Sequence, residues 1–357
     1  MAKKAYIGVG GVARKVKKGY IGVGGVARKI KKAYIGIGGV ARPCWSGGEL
    51  AYWGTATDMS ISRSSYAATS NGSYAMFGGH SSNTAVDAYD ASLTLSSTAS
   101  LILARTLLSA TSIGNYALFG GGGYDKQVDA FDKSLTRTSP TNLSLGVSAL
   151  SATSIGNYAL FGGGMTSAGN KSGTVNAYNS SLSKTTKTLS AARSYMASAS
   201  NGSYALFGGG YSSSVSAVVD AYNTSLTQTT ATNLSLARQK FAATSVGNYV
   251  LFGGGYASNT YVPSVDAYDT SLTRTTATNL SFASMTHAAT SVGNYALFGG
   301  GQTDGGKNAA VDAYDASLTK TIATNLSVAS GAPQATFIGD YALFGGNAKT
   351  VDVYTVA

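Results

Sequence analysis

Residues able to carry chemistry are few in this 357-residue chain: one cysteine, Cys44, two histidines, His80 and His287, and 15 carboxylates. A zinc site needs several Cys, His or carboxylate ligands close together, and these three residues do not supply it. The lone cysteine also excludes an intramolecular disulfide, and Cys44 reads as a buried or interfacial residue. Asp or Asn ends each "VDAYD"-like segment, at Asp90, Asp132, Asn179, Asn223, Asp269 and Asp315. Occurring once per repeat unit and not gathered on one loop, they read as Asx-turn acceptors and not as calcium ligands. The "GGG" runs are followed by neither a helix nor Gly-Lys-Ser/Thr, so they are not phosphate loops. No strand-turn-helix setting for a nucleophilic serine and no carboxylate dyad unique to one unit is present. The expectation is a non-enzymatic chain with no cofactor and no metal.

The elements that position these residues are written in a long repeat. The aromatic of "FGG" falls at Phe77, Phe119, Phe161, Phe207, Phe252, Phe298 and Phe344, with spacings of 42, 42, 46, 45, 46 and 46 residues. That is the period of a propeller blade. Each unit reads as four short strands: "AATS", a tight turn at "VGN" or "NGS", "YALFGG", a variable loop, "VDAYD", and "TTATNLS". No segment keeps a helical period. The fold class is therefore all-β, a seven-bladed propeller. The seventh unit stops at "TVDVYTVA", after its third strand, while residues 53–63, "WGTATDMSISR", align without gaps on residues 274–284, "RTTATNLSFAS", which hold a fourth strand. The orphan strand is expected to complete blade seven and close the ring. The glycine pair should end a crowded strand, with the Tyr and Phe before it filling the space between blades.

The formal charge of +11 is local. Residues 1–42 hold 11 Lys and Arg and no acid, leaving 15 bases against 15 acids in the rest. This segment is three near-copies of period 14, at residues 3–16, 17–30 and 31–44: "KKAYIGVGGVARKV", "KKGYIGVGGVARKI" and "KKAYIGIGGVARPC". The Gly-Gly pairs fit two-residue hairpin turns, which predicts a kinked β-meander that needs a neighbour to bury its apolar side chains, in a homotrimer or a larger assembly. Two domains follow: a basic anchoring or oligomerisation module at 1–45, with Tyr6, Tyr20, Tyr34, Arg14, Arg28 and Arg42 as its contact residues, and the propeller at 46–357. Solvated lysines on a repeated scaffold account for the charge better than nucleic-acid binding does. The chain shows neither the apolar core of a secretory signal nor a run long enough to span a membrane.

Residues 49–357, with an apolar strand ending in Gly-Gly, a variable loop and a "V-x-x-Y-D" strand, resemble the kelch family of β-propellers. The fourth strands depart from that family, carrying Thr or Arg where kelch repeats have Trp; Trp53 alone is an exception. The galactose-oxidase branch would require two Tyr, two His and a Tyr–Cys cross-link, which Cys44, His80 and His287 do not offer. The first 45 residues are similar to N-terminal repeats of minor structural and tail-associated proteins of bacteriophages and prophages in Gram-positive hosts. Together the resemblances imply a virion protein assembled in the bacterial cytoplasm. It would dock on other tail proteins through residues 1–45 and recognise a host-surface glycan or protein with the propeller. A purely structural decoration protein and a glycan-active enzyme are the alternatives. The loops between "FGG" and "VDAYD" vary most, and place Tyr124, Tyr211, Tyr256, Tyr261 and Gln302 as candidate ligand contacts on one face.

Overall fold

The structure, a computed structural model, describes residues 48–356 together with the backbone of six N-terminal strands within residues 6–45. Residues 48–356 form seven four-stranded antiparallel sheets. Blades 1 to 6 occupy residues 67–96, 109–138, 151–188, 197–231, 242–277 and 288–323. Blade 7 combines Gln334–Ile338, Tyr341–Gly345 and Val351–Val356 with Leu50–Thr55, drawn from the other end of the chain. Thr55 pairs with Asp352 as Thr276 pairs with Asp266 in blade 5, the register that the sequence alignment implies. A bulge between Val353 and Tyr354 then lets this strand continue to Leu50, opposite Val356. Ala56 N–H donates to Val351 O (2.9 Å) and Tyr66 Oη–H to Gly345 O, so both flanks of the closure are hydrogen-bonded.

The first strand of each blade is innermost and packs on the first strands of its neighbours. These inner strands present Ala68, Ala110, Ala152, Ser198, Ala243, Ala289 and Ala335 to a central channel. Cores lie between blades: Phe161 and Tyr178 of blade 3 bury against Leu118, Val128 and Ala130 of blade 2. Their rings meet edge to face at 6.0 Å. The Phe does fill the interblade space as expected, but its aromatic partner is the Tyr of the third strand, and the Tyr that opens "YALF" is only half-buried in blades 2 to 6. The third-strand Tyr also crosses to the preceding blade, where Tyr178 Oη–H donates to Thr141 O (2.7 Å) and Tyr268 Oη–H to Thr232 O (2.8 Å).

The first glycine of each "FGG" is the seat of the next blade's ring. A Cβ at Gly120 would lie 2.8 Å from Phe161, and one at Gly345 would lie 3.0 Å from Phe77, so the series runs once around the ring and closes on itself. Gly121, with φ +66°, turns the chain out of the strand, a conformation that L side chains disfavour. Asp90 Oδ1 accepts from Ser92 N–H (2.8 Å) and Thr94 N–H (3.0 Å), and Asn179, Asp269 and Asp315 repeat this turn.

In the N-terminal repeats, Tyr6–Val9 pairs with Val12–Lys15, Gly19–Val23 with Val26–Ile30, and Ala33–Ile37 with Val40–Trp45. These are three separate two-stranded ladders. A meander would also pair Val12–Lys15 with Gly19–Val23, and among the described residues no ladder joins one hairpin to the next. Ile7, Ile21 and Ile35 stand opposite Arg14, Arg28 and Arg42. The side chains of Tyr6, Tyr20, Tyr34, these arginines and Cys44 lie outside the described residues.

Candidate functional site at the mouth of the ring

The strand order fixes two unlike faces. The short turns after the first and third strands lie on one, while the variable loops and the connections into each new blade lie on the other. On this second face the channel opens into a cavity of about 450 Å³. Its rim carries one equivalent residue from each blade: Ser65, Leu107, Ala149, Tyr195, Lys240, Thr286 and Ala332. Six of them, all but Ala332, hold positive φ between 53° and 56°. Their backbones form a chain of hydrogen bonds between blades: Leu107 N–H to Ser65 O (2.7 Å), Ala149 to Leu107 (2.9 Å), Tyr195 to Ala149 (2.9 Å), Lys240 to Tyr195 (3.1 Å) and Thr286 to Lys240 (2.8 Å). The left-handed backbone is thus set by the ring, and the side chain at each position is free to differ.

Blades that are near-copies elsewhere present Ser, Leu, Ala, Tyr, Lys, Thr and Ala here. Lys240 Nζ lies 5.1 Å from the centroid of the Tyr195 ring, a cation–π pair on the rim. Burial raises the Tyr195 phenol, and the nearby Tyr124 phenol adds to the shift, so Tyr195 is a neutral hydrogen-bond donor. Below the rim, hydrophobic wedges separate the blades: Tyr66, Leu108, Leu150, Met196, Phe241, His287 and Pro333. His287 fills the place that Phe241 takes one blade earlier. Its Nδ1 is 3.1 Å from Ser284 Oγ, and burial lowers its pKa to about 4, so the ring is neutral.

The loop residues singled out in the sequence lie on this same face. Tyr211, Tyr256 and Gln302 follow the glycines of blades 4, 5 and 6, bridging to Ser194, Gln239 and Met285, each next to a rim residue. Lys171 Nζ sits 5.6 Å from the Tyr211 centroid, and Tyr256 and Tyr261 meet edge to face at 5.4 Å. Tyr124, 46% exposed with φ +59°, is the most exposed of the five. The rim itself escapes inspection of the sequence, because each blade contributes a single residue. The signal lies in the aligned repeats: the residue two places before "AATS" or "SATS" varies where its surroundings do not.

Four buried arginines lie behind the rim. Arg63, Arg105, Arg193 and Arg238 pair with Asp87, Asp129, Asp220 and Asp266, the Arg63 and Arg238 contacts measuring 2.6 and 2.8 Å. Burial lowers the pKa of Arg105, Arg193 and Arg238, against the opposing pull of their aspartates. In blade 3 both charges are missing, with Val147 and Asn176 in their places. These pairs brace the blades, and none of them lines the mouth cavity. Among the described residues no group of three or more potential metal ligands gathers. No helix there is long and apolar enough to cross a membrane.

The chain is a seven-bladed β-propeller. Neither a protein-family model nor a curated protein matches it. Among solved structures it is similar to YjhT, with a TM-score of 0.61 and 12% identity, over 75% of this chain and 99% of that one. As many as 1083 solved chains match, so the fold alone selects no single activity. The likeness corrects the expectation of a non-enzymatic chain: the propeller is a scaffold that hosts enzymes as well as binding proteins, and missing serine, phosphate-loop and dyad motifs do not exclude an activity on it.

Proposed function

We propose that this chain is a carbohydrate-directed propeller whose saccharide site is the mouth cavity. One observation carries the reading: in a ring of near-identical blades, side-chain identity varies at the rim, where seven positions converge on one cavity. A rim offering an aromatic ring, an ammonium and the Ser65 and Thr286 hydroxyls has the composition that packs on a sugar face and bonds its hydroxyls. Tyr124, Tyr211, Tyr256, Tyr261 and Gln302 would extend the contact outward. The kelch-like repeats and the tail-protein-like N-terminal repeats favour a virion setting, with residues 1–45 docking on the particle and the mouth meeting a glycan on the host surface.

The test is binding of the full chain to a glycan panel and to Gram-positive cells, beside Tyr195→Ala. Saturable binding, weakened at least about tenfold by Tyr195→Ala without a change in melting temperature, supports the reading; that is the scale of one aromatic anchor. Binding to nothing in the panel, or binding indifferent to Tyr195, rejects it. Products released from each bound glycan are assayed in parallel, which reads catalysis directly.

A further inference from the structure

The mouth cavity is not the whole depression. The loop between the second and third strands is shortest in blade 7, spanning residues 346–350, against 163–173 in blade 3. Above this short loop lies a second cavity, of about 570 Å³, lined by Ser62, Arg63, His80, Gln302, Lys307 and Asn347 among others. Thr286 and Ala332 line both cavities, so the two lie side by side.

Neither lining contains an aspartate or a glutamate. Arg63 is committed to Asp87, which leaves Lys240 in the first cavity and Lys307 in the second as cations with no carboxylate partner. His80 Nδ1 accepts from Ser82 N–H (3.1 Å), so its ring proton sits on Nε2, a donor in the wall of the second cavity. Donors and cations without a facing carboxylate repel no anion. We propose that the ligand is an anionic glycan chain of at least two units, one in the mouth beside Lys240 and Tyr195, the next in the blade-7 notch beside Lys307 and His80. The proposal rests on the saccharide reading of the mouth. The acid group is a carboxylate of an acidic sugar or a phosphodiester of a polyol-phosphate chain, and both present the same charge to the lysines.

The experiment titrates the full chain with oligogalacturonates of one to four units, oligo(glycerol phosphate) of matching lengths and neutral malto-oligosaccharides. Residues 1–42 carry 11 Lys and Arg, so every comparison is made between variants of the same full chain. Affinity should rise at least about tenfold from one unit to three in one of the two anionic series, which also identifies the acid group. Lys240→Ala should weaken all lengths. Lys307→Ala should weaken only chains of two units or more, and Lys133→Ala, in a turn on the opposite face, should change nothing. Affinity flat with length, Lys307→Ala without effect, or equal loss in Lys133→Ala overturns the two-cavity proposal. Preference for neutral chains, indifferent to both lysines, overturns it and leaves the saccharide reading standing. Binding of no saccharide overturns both.

Discussion

At the scale of single residues, the buried ion pairs make a sharp test because the protein contains its own control. Arg193→Ala strands the Asp220 carboxylate in the core, and the expected loss is about 3–5 kcal/mol in denaturant unfolding. Arg193→Val with Asp220→Asn copies the Val147 and Asn176 of blade 3, where Asn176 accepts from Ser144 N–H (3.0 Å) as Asp220 does from Ser190 N–H (3.0 Å). The double variant should recover most of the loss. His287 gives a pH test. Its folded pKa of about 4 lies below the ordinary 6.5, so the unfolded state binds a proton that the folded state refuses. Its contribution is whole above pH 6.5 and is lost as pH falls towards 4, by up to about 3 kcal/mol. The groups against the ring are Ser284, Phe282 and Phe298, with Arg238 the one charge acting on it. His287→Phe, the residue of blade 5, should flatten this part of the stability profile.

At the scale of elements, the ring depends on a strand taken from the other end of the chain. A chain beginning at residue 57 lacks Leu50–Thr55 and exposes the edge of Val351–Val356, an apolar strand ready to pair with another copy. It should associate or aggregate and give no sharp melting transition in calorimetry, whereas a chain beginning at residue 46 should melt like the full chain. This closure was legible because "TATDMS" matches "TATNLS" in a place where no blade precedes it. The bulge and the reach to Leu50 were not, since they depend on how Tyr52 meets Tyr354 across the ladder, with ring centroids 5.3 Å apart. The hairpins at residues 6–45 were readable from their Gly-Gly pairs, but not their separation, because lysines and glycines interrupt the apolar alternation that would fix a further pairing.

At the scale of the molecule, the site was the least legible part. Tyr195 and Lys240 are 45 residues apart and meet only because two blades place equivalent positions side by side. The buried arginines were hidden for a similar reason: an arginine in a connecting loop reads as solvated until its aspartate, 24 to 28 residues on, folds over it. What the repeats did reveal was which face varies, and the rim and the loop tyrosines share that face.

The strand that closes blade 7 has one more property. It enters the ring at Leu50 on the face away from the mouth and runs towards the mouth at Thr55, antiparallel to Val351–Val356. Tension between a tether at residues 1–45 and a ligand held at the rim would therefore pull along the axis of this strand. The load would fall on all its ladder hydrogen bonds together, in shear, and would not peel them apart one after another. A propeller hung in this way would resist a steady tug for a time set by the rate of rupture under load and not by its equilibrium stability.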